Sequence, residues 1–131
     1  MLYSPRMKLT QPSISVAIWS QNHKKLAEWY RDTLGIKIRM HTDFPNDDCY
    51  DMDVGSSFLS IGKHDRVHGK SKDPYRMMAG FEVESVGAVY EEIKGKDITW
   101  IAKPFLAPTG TVWCMTIADP EGNIIQFFGK K

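Results

Sequence analysis

The sequence predicts an α+β fold of two pseudo-symmetric modules, each running strand, helix, strand, strand, strand. One observation behind this is a repeat of hydrophobic periods, alternation and then helical spacing and then alternation again, over about residues 13–63 and once more over about 77–130. Another is the change of composition between them, from His64 to Arg76, which is charged and carries Gly69 and Pro74 as a linker does. Size supplies the third. A chain of 131 residues is one domain's length, and halves of about 55–65 residues would each be marginally stable, so the modules are expected to share one core.

The first dozen residues show no periodicity and contain Pro5 and Pro12, which reads as a loose arm or a short edge strand. Ile14 to Trp19 alternates, with Ile14, Val16 and Ile18 on one face and Ser15, Ala17 and Trp19 on the other. Ser20-Gln21-Asn22 offers capping side chains, Leu26, Tyr30 and Leu34 make an apolar stripe at helical spacing, and Gly35 stops the helix. Strands follow over Ile36–Thr42, Cys49–Val54 and Phe58–Gly62, separated by turns at Asp43–Asp48 and Gly55–Ser57. In the second module Met77–Val83 is a strand, Ser85 caps a helix with Val86, Val89, Tyr90 and Ile93 at i, i+3, i+4 and i+7, and Gly95 ends it. Ile98–Ile101 is a strand and Lys103–Gly110 an irregular loop. Last comes a hairpin: Val112–Ala118, the turn Asp119-Pro120-Glu121-Gly122-Asn123, and Ile124–Phe128. In that turn Pro120 presets one backbone angle, Gly122 allows a positive one, and Asp119 and Asn123 can bond the backbone.

Bulk properties exclude several classes. Lys plus Arg at 17 against Asp plus Glu at 16 leaves a formal charge of +1, so no global field favours nucleic acid or an anionic membrane as partner. No apolar run approaches the ~18 residues of a membrane span. Met1 to Arg6 lacks a signal sequence's apolar core, and Cys49 and Cys114 read as two reduced thiols, which together lead us to expect a cytoplasmic protein.

The repeated unit, the stretch Trp29-Tyr30-Arg31-Asp32-Thr33-Leu34-Gly35 and the closing Asp119-Pro120-Glu121-Gly122-Asn123 resemble the vicinal oxygen chelate superfamily, which includes glyoxalase I, bleomycin-resistance proteins and extradiol dioxygenases. The resemblance covers Ser13 to Gly129. It implies βαβββ modules that form a curved mixed sheet around a cleft, and association as a homodimer. It also implies a divalent metal held from the first and last strands of each module. Carried onto this sequence, those positions are Ser15, Ser60, Met78 and Gln126. Hydroxyls, a thioether and an amide are poor replacements for the imidazole, thiolate and carboxylate donors such metals need, so no metal and no cofactor is expected.

Other ligand sources are weak. His64 and His68 lie four apart in the linker and read as surface histidines, and Asp47, Asp48, Asp51 and Asp53 read as a solvated turn and strand face. No nucleophile elbow or phosphate-binding glycine loop is present.

Alternation places Ser15, Ala17, Trp19, Phe58, Ser60, Gly62, Met78, Gly80, Glu82, Ile124, Gln126 and Phe128 opposite a uniformly apolar set of Ile14, Val16, Ile18, Leu59, Ile61, Ala79, Phe81, Val83, Ile125 and Phe127. The apolar set suits a helix-covered face, and the mixed set suits a small-molecule pocket with apolar walls and a few orienting groups. Trp100 and Trp113 are further stacking candidates. Equally, Trp19, Phe58, Met78 and Phe128 could fill the space of a metal. The leading expectation is a metal-free protein binding an apolar or aromatic small molecule by stacking on Trp19, Trp100 or Trp113 and hydrogen bonds to Ser15, Ser60, Gln126 or Glu82. The alternatives are a divergent lyase, isomerase or dioxygenase, with Glu82 as acid or base in a dry cleft, and an interaction module using the fold as a dimer scaffold.

Overall fold

A computed structural model describes residues 7–131. Its elements run β1 (Ser15–Ser20), α1 (His23–Asp32), β2 (Ile38–Phe44), β3 (Asp47–Met52), β4 (Phe58–Lys63), β5 (Ala79–Ser85), α2 (Val86–Ile93), β6 (Thr99–Leu106), β7 (Trp113–Ala118) and β8 (Ile124–Lys130). They build two βαβββ modules with mixed four-stranded sheets in the orders β1-β4-β3-β2 and β5-β8-β7-β6. In each sheet the first strand lies parallel to the last, Val16 opposite Leu59 in one and Phe81 opposite Phe127 in the other. A helical crossover makes that parallel pairing possible, and the remaining pairs are antiparallel.

Local chemistry explains the boundaries. Ser85 Oγ accepts from Ala88 N–H at 3.0 Å and starts α2. At α1 the capping hydroxyl belongs to Ser20, which accepts from Asn22 N–H at 2.7 Å just ahead of the helix. Gly35, at φ +74°, supplies the left-handed residue beyond α1. The β2–β3 connection is tighter than the expected Asp43–Asp48 turn. Phe44 pairs with Asp47, which leaves only Pro45 and Asn46 between the strands, because ladder hydrogen bonds outweigh the weak strand preference of aspartate. Likewise β6 continues through Lys103–Leu106, where a loop was expected, with its register broken between Trp100 and Ala102 and between Ala102 and Phe105. Such irregularities accommodate Pro104, which has no N–H to give a ladder. Of the expected N-terminal arm, residues 7–14 carry no helix or strand, and residues 1–6 lie outside the described residues.

One core spans both modules. Leu26, Ala27 and Tyr30 of α1 and Val86 and Ile93 of α2 cluster with Met52, Leu59, Ile61, Met115, Ile117, Ile125 and Phe127 from the sheets. Burying side chains of this kind stabilises by about 1.5–3 kcal/mol each before conformational entropy is charged against it. Polar groups fix how the modules sit. Tyr30 donates its phenol to Asp119 Oδ2 at 2.8 Å, and Ser20 donates to Glu121 Oε1 at 2.6 Å. Lys96 Nζ donates to the carbonyls of Asp32 and Thr33 at 3.2 and 2.9 Å, meeting the C-terminal end of α1 where a cation is favoured. The linker is tied down as well, Gly69 N–H donating to Gln21 Oε1 at 2.6 Å and Ser71 N–H to the Glu121 carbonyl at 2.9 Å.

The apolar face is covered unevenly. Helix α1 lies over β4 and β3 more than over β1. Ile14 and Val16, expected beneath the helix, are 77% and 37% exposed in consequence.

Candidate functional site

The β1–β4 ladder sets Ser15 opposite Phe58, Ala17 opposite Ser60 and Trp19 opposite Gly62. Cross-strand neighbours share a face, so these residues occupy the side away from α1. In the second sheet Gly80 lies opposite Gln126 and Glu82 opposite Phe128, again away from the helix, with Met78 just ahead of β5. These open faces also carry exposed Met40, Phe44, Ile101 and Phe105. No ladder joins β1 to β5.

The two remaining tryptophans belong to the other side. Trp100 meets the Tyr90 ring of α2 edge-on at 5.3 Å, and Trp113 packs against the core with the Lys131 ammonium 5.2 Å from its ring centroid. Strand alternation through β6 and β7 puts both on the helix-covered face, so they do not join Trp19, Ser15 or Gln126 as stacking surface.

The four positions that the resemblance assigns to a metal carry donors that fit a catalytic dication poorly. Ser15, Ser60, Met78 and Gln126 offer two hydroxyls, a thioether and an amide, weaker donors to zinc, nickel or iron than imidazole, thiolate or carboxylate. Among the described residues no group of three or more His, Cys, Asp or Glu side chains is placed to hold a metal. His64 meets Trp19 edge-on at 5.5 Å and its Nδ1 accepts from Arg66 N–H at 3.1 Å.

The acidic stretch is more structured than expected. Asp48 Oδ1 bonds both His23 Nε2 at 2.7 Å and His41 Nε2 at 2.9 Å, and Asp51 accepts from Arg39 Nε at 3.0 Å. Hydrogen bonds from His41 and then His23 hold the Asp48 carboxyl down at about 2.

A cavity of about 770 Å³ lies at the seam between the modules. Three expected site residues, Phe58, Glu82 and Phe128, line it. Ser15, Ser60, Met78 and Gln126 do not, and Trp19 borders a separate hollow of about 410 Å³ with Asp48, Lys63 and His64. Part of the wall comes from positions expected to be sealed under helices, Ile14, Val16, Leu59, Ala79, Phe81, Val83 and Phe127, joined by Leu34, Ile36 and Val89. A signal for part of it exists in the sequence, since Leu34 and Ile36 straddle the helix-stopping Gly35 and have no further turn of α1 to bury them. Asp53, Glu82 and Glu92 are lining residues too, with Val54, Ser57 and Gly80. Glu82 is exposed, so it lacks the desolvation that an acid–base role in a dry cleft would require.

Two βαβββ modules with a shared core, open sheet faces and a cavity at their seam define a paired-module α+β fold. The Glyoxalase/Bleomycin resistance protein/Dioxygenase superfamily model matches residues 14–127, and the chain belongs to that superfamily. Solved structures agree on the fold. A member of the superfamily from Sphaerobacter thermophilus DSM 20745 is 16% identical with a TM-score of 0.72, the match covering 89% of this chain and 96% of that one. A glyoxylase/bleomycin resistance protein/dioxygenase domain from Frankia sp. EAN1pec is 17% identical with a TM-score of 0.68, over 89% and 90%. TioX from Micromonospora sp. ML1 is 12% identical with a TM-score of 0.70, over 89% and 98%. No curated protein matches the chain. Among the described residues no helix is long and apolar enough to cross a membrane.

Proposed function

We propose that this chain is a metal-free small-molecule-binding protein that holds an apolar or aromatic ligand in the cavity between its modules. The observation that carries this is the seam cavity, whose volume of about 770 Å³ lies within the ~300–1,000 Å³ typical of ligand sites and whose walls are mainly aliphatic and phenyl groups. Sequestering a ligand requires no catalytic residue, which agrees with a lining that offers no nucleophile paired to a base. The ligand contacts fall on Phe58, Phe81, Phe127 and Phe128 rather than on tryptophans. We further propose a homodimer in which a second copy covers the open faces, because Met40, Phe44, Ile101 and Phe105 are too many exposed apolar groups for a free sheet surface.

A cavity-filling variant tests the binding reading. Val16 lines the cavity and is partly exposed, so Val16→Trp can occupy the site without disturbing the core. Titration with the neutral fluorophore N-phenyl-1-naphthylamine should show micromolar binding to the native chain and affinity at least ~10-fold weaker in the variant, a loss of about 1.4 kcal/mol or more. Equal affinity in a folded Val16→Trp protein would remove the cavity as the site. Sedimentation should give twice the chain mass, and a monomer at every concentration up to that of the titration would rule out the dimer.

A further inference from the structure

We infer that the ligand of the seam cavity is an organic cation: a protonated amine or quaternary ammonium group carried on an apolar, aromatic-sized body. This rests on the binding reading above and adds the charge. Asp53, Glu82 and Glu92 are lining residues, and among the described residues no lysine, arginine or histidine lines it. Asp53 is already partly compensated, its Oδ1 accepting from Gly55 N–H at 3.3 Å and lying 3.9 Å from Arg39 Nη1. Glu82 and Glu92 differ. Both line the cavity, and among the described residues neither makes an ion pair or a side-chain hydrogen bond, so their charge is unspent within the molecule.

The placement of these two acids is not a run of neighbours in the chain. Glu82 comes from β5, opposite Phe128, and Glu92 from α2, one turn beyond the lining residue Val89. Two different elements therefore bring negative charge to one apolar hollow. The formal charge of the whole chain is +1, so this bias is local and would not arise from the overall composition.

The aromatic walls favour the same sign. A phenyl face is the negative end of the ring quadrupole and attracts cations. Phe58 shows this within the molecule, since the Arg39 guanidinium carbon lies 5.8 Å from its ring centroid. Phe81 and Phe127 stack at 5.7 Å and add further phenyl surface. An anionic ligand would meet apolar walls and the carboxylate-bearing residues Asp53, Glu82 and Glu92, with Arg39 as the cation nearest the lining, on Phe58. A neutral one would use the walls and leave Glu82 and Glu92 idle.

Three probes of one shape separate charge from fit: 1-naphthylmethylammonium, 1-naphthalenemethanol and 1-naphthoate, titrated calorimetrically into the native chain at low salt. The ammonium should bind at least ~10-fold tighter than the alcohol, with the carboxylate weakest, and the gap should shrink at high salt. In Glu82→Gln/Glu92→Gln, two exposed substitutions whose folding is checked by thermal melting, the ammonium should fall to the level of the alcohol while the alcohol is unchanged. If the alcohol matches the ammonium in the native chain, and both are lost in Val16→Trp, the cation inference fails and the cavity reading stands. If no probe binds, or all bind equally well to Val16→Trp, the cavity reading falls and takes the inference with it.

Discussion

The two modules repeat one order of elements but distribute burial differently. In the second, Cys114 to Ala118 of β7 are buried on both faces, as are Ile124, Ile125 and Phe127 of β8. In the first, β2 has no fully buried residue, and Trp19, Met40, Phe44 and Phe58 are exposed. The outer strand β6 of the second module likewise has no fully buried residue, so the contrast lies in the inner strands, and module 1 is anchored to them by a contact across the seam. That module's most deeply placed helical side chain, Tyr30, is fully buried and finds its hydrogen-bond acceptor across the seam at Asp119. That carboxylate is itself fixed by the backbone N–H groups of Glu121 and Asn123 and by the Asn123 amide, all at 2.9 Å. Burial first, and then the Asp119 charge, push the Tyr30 phenol well above its ordinary range, so it stays a donor. A turn that closes the last hairpin of one module thus serves as the socket for the helix of the other.

Two glycines on the last strands of the two sheets, each opposite a residue of the parallel first strand, give the sharpest break of this comparison. Trp19 lies opposite Gly62 in the first sheet and Val83 opposite Gly129 in the second. A Cβ on Gly129 would stand 2.0 Å from the Val83 carbonyl oxygen, so β5 and β8 would have to part. A Cβ on Gly62 would meet the Trp19 ring at 2.7 Å, and that ring is at the surface and can swing away. Gly129→Ala should therefore cost about 3 kcal/mol and Gly62→Ala about 1 kcal/mol, the upper and lower ends of overpacking costs. Urea unfolding of the two variants decides it. Equal losses, or the opposite order, would mean that the sheets are alike in tolerance and that the burial contrast is not mechanical.

What could be read in the sequence was local. The Asp119–Asn123 turn was legible because its chemistry is self-contained: Gly122 adopts φ +81° and Asp119 bonds the turn backbone. Both helices were legible from their stripes and the repeat from its periods. The seam was not. Tyr30 and Asp119 are 89 residues apart, and nothing in the period of either segment names the other. Alternation separates two faces of a strand but does not say how far a short helix reaches across a sheet, so Ile14 and Val16 were assigned to a covered face that α1 leaves open. For the same reason Trp100 and Trp113 could be placed on strands but not on a face, since register irregularities in β6 intervene. The acidic run around Asp48 looked solvated because its histidine partners come from other elements, His23 from α1, 25 residues away, and His41 from β2, across a hairpin tighter than the expected turn.

That last cluster supplies the mildest test, and it concerns how the exposed module compensates for thin packing. The β6–β7 pair is anchored by Trp100 against Tyr90, whereas the β2–β3 hairpin is joined to α1 through His23, Asp48 and His41, with His41 stacked on Tyr50 at 4.2 Å. The Asp48 carboxyl is depressed from 3.8 to about 2 in the folded chain, so at falling pH the unfolded chain takes up the proton first. Its contribution to stability is therefore complete above the unfolded value and is lost as pH falls through 3.8 toward about 2. The group is at the surface and screened, so the effect is small beside that of Gly129→Ala. Melting temperatures of the native chain and of Asp48→Asn, followed from about pH 5 down to about pH 2, should differ at the top of this range and converge through the window. A gap that stays constant would show that Asp48 acts only as a neutral hydrogen-bonding shape, and that the charge between helix and hairpin contributes nothing to holding module 1.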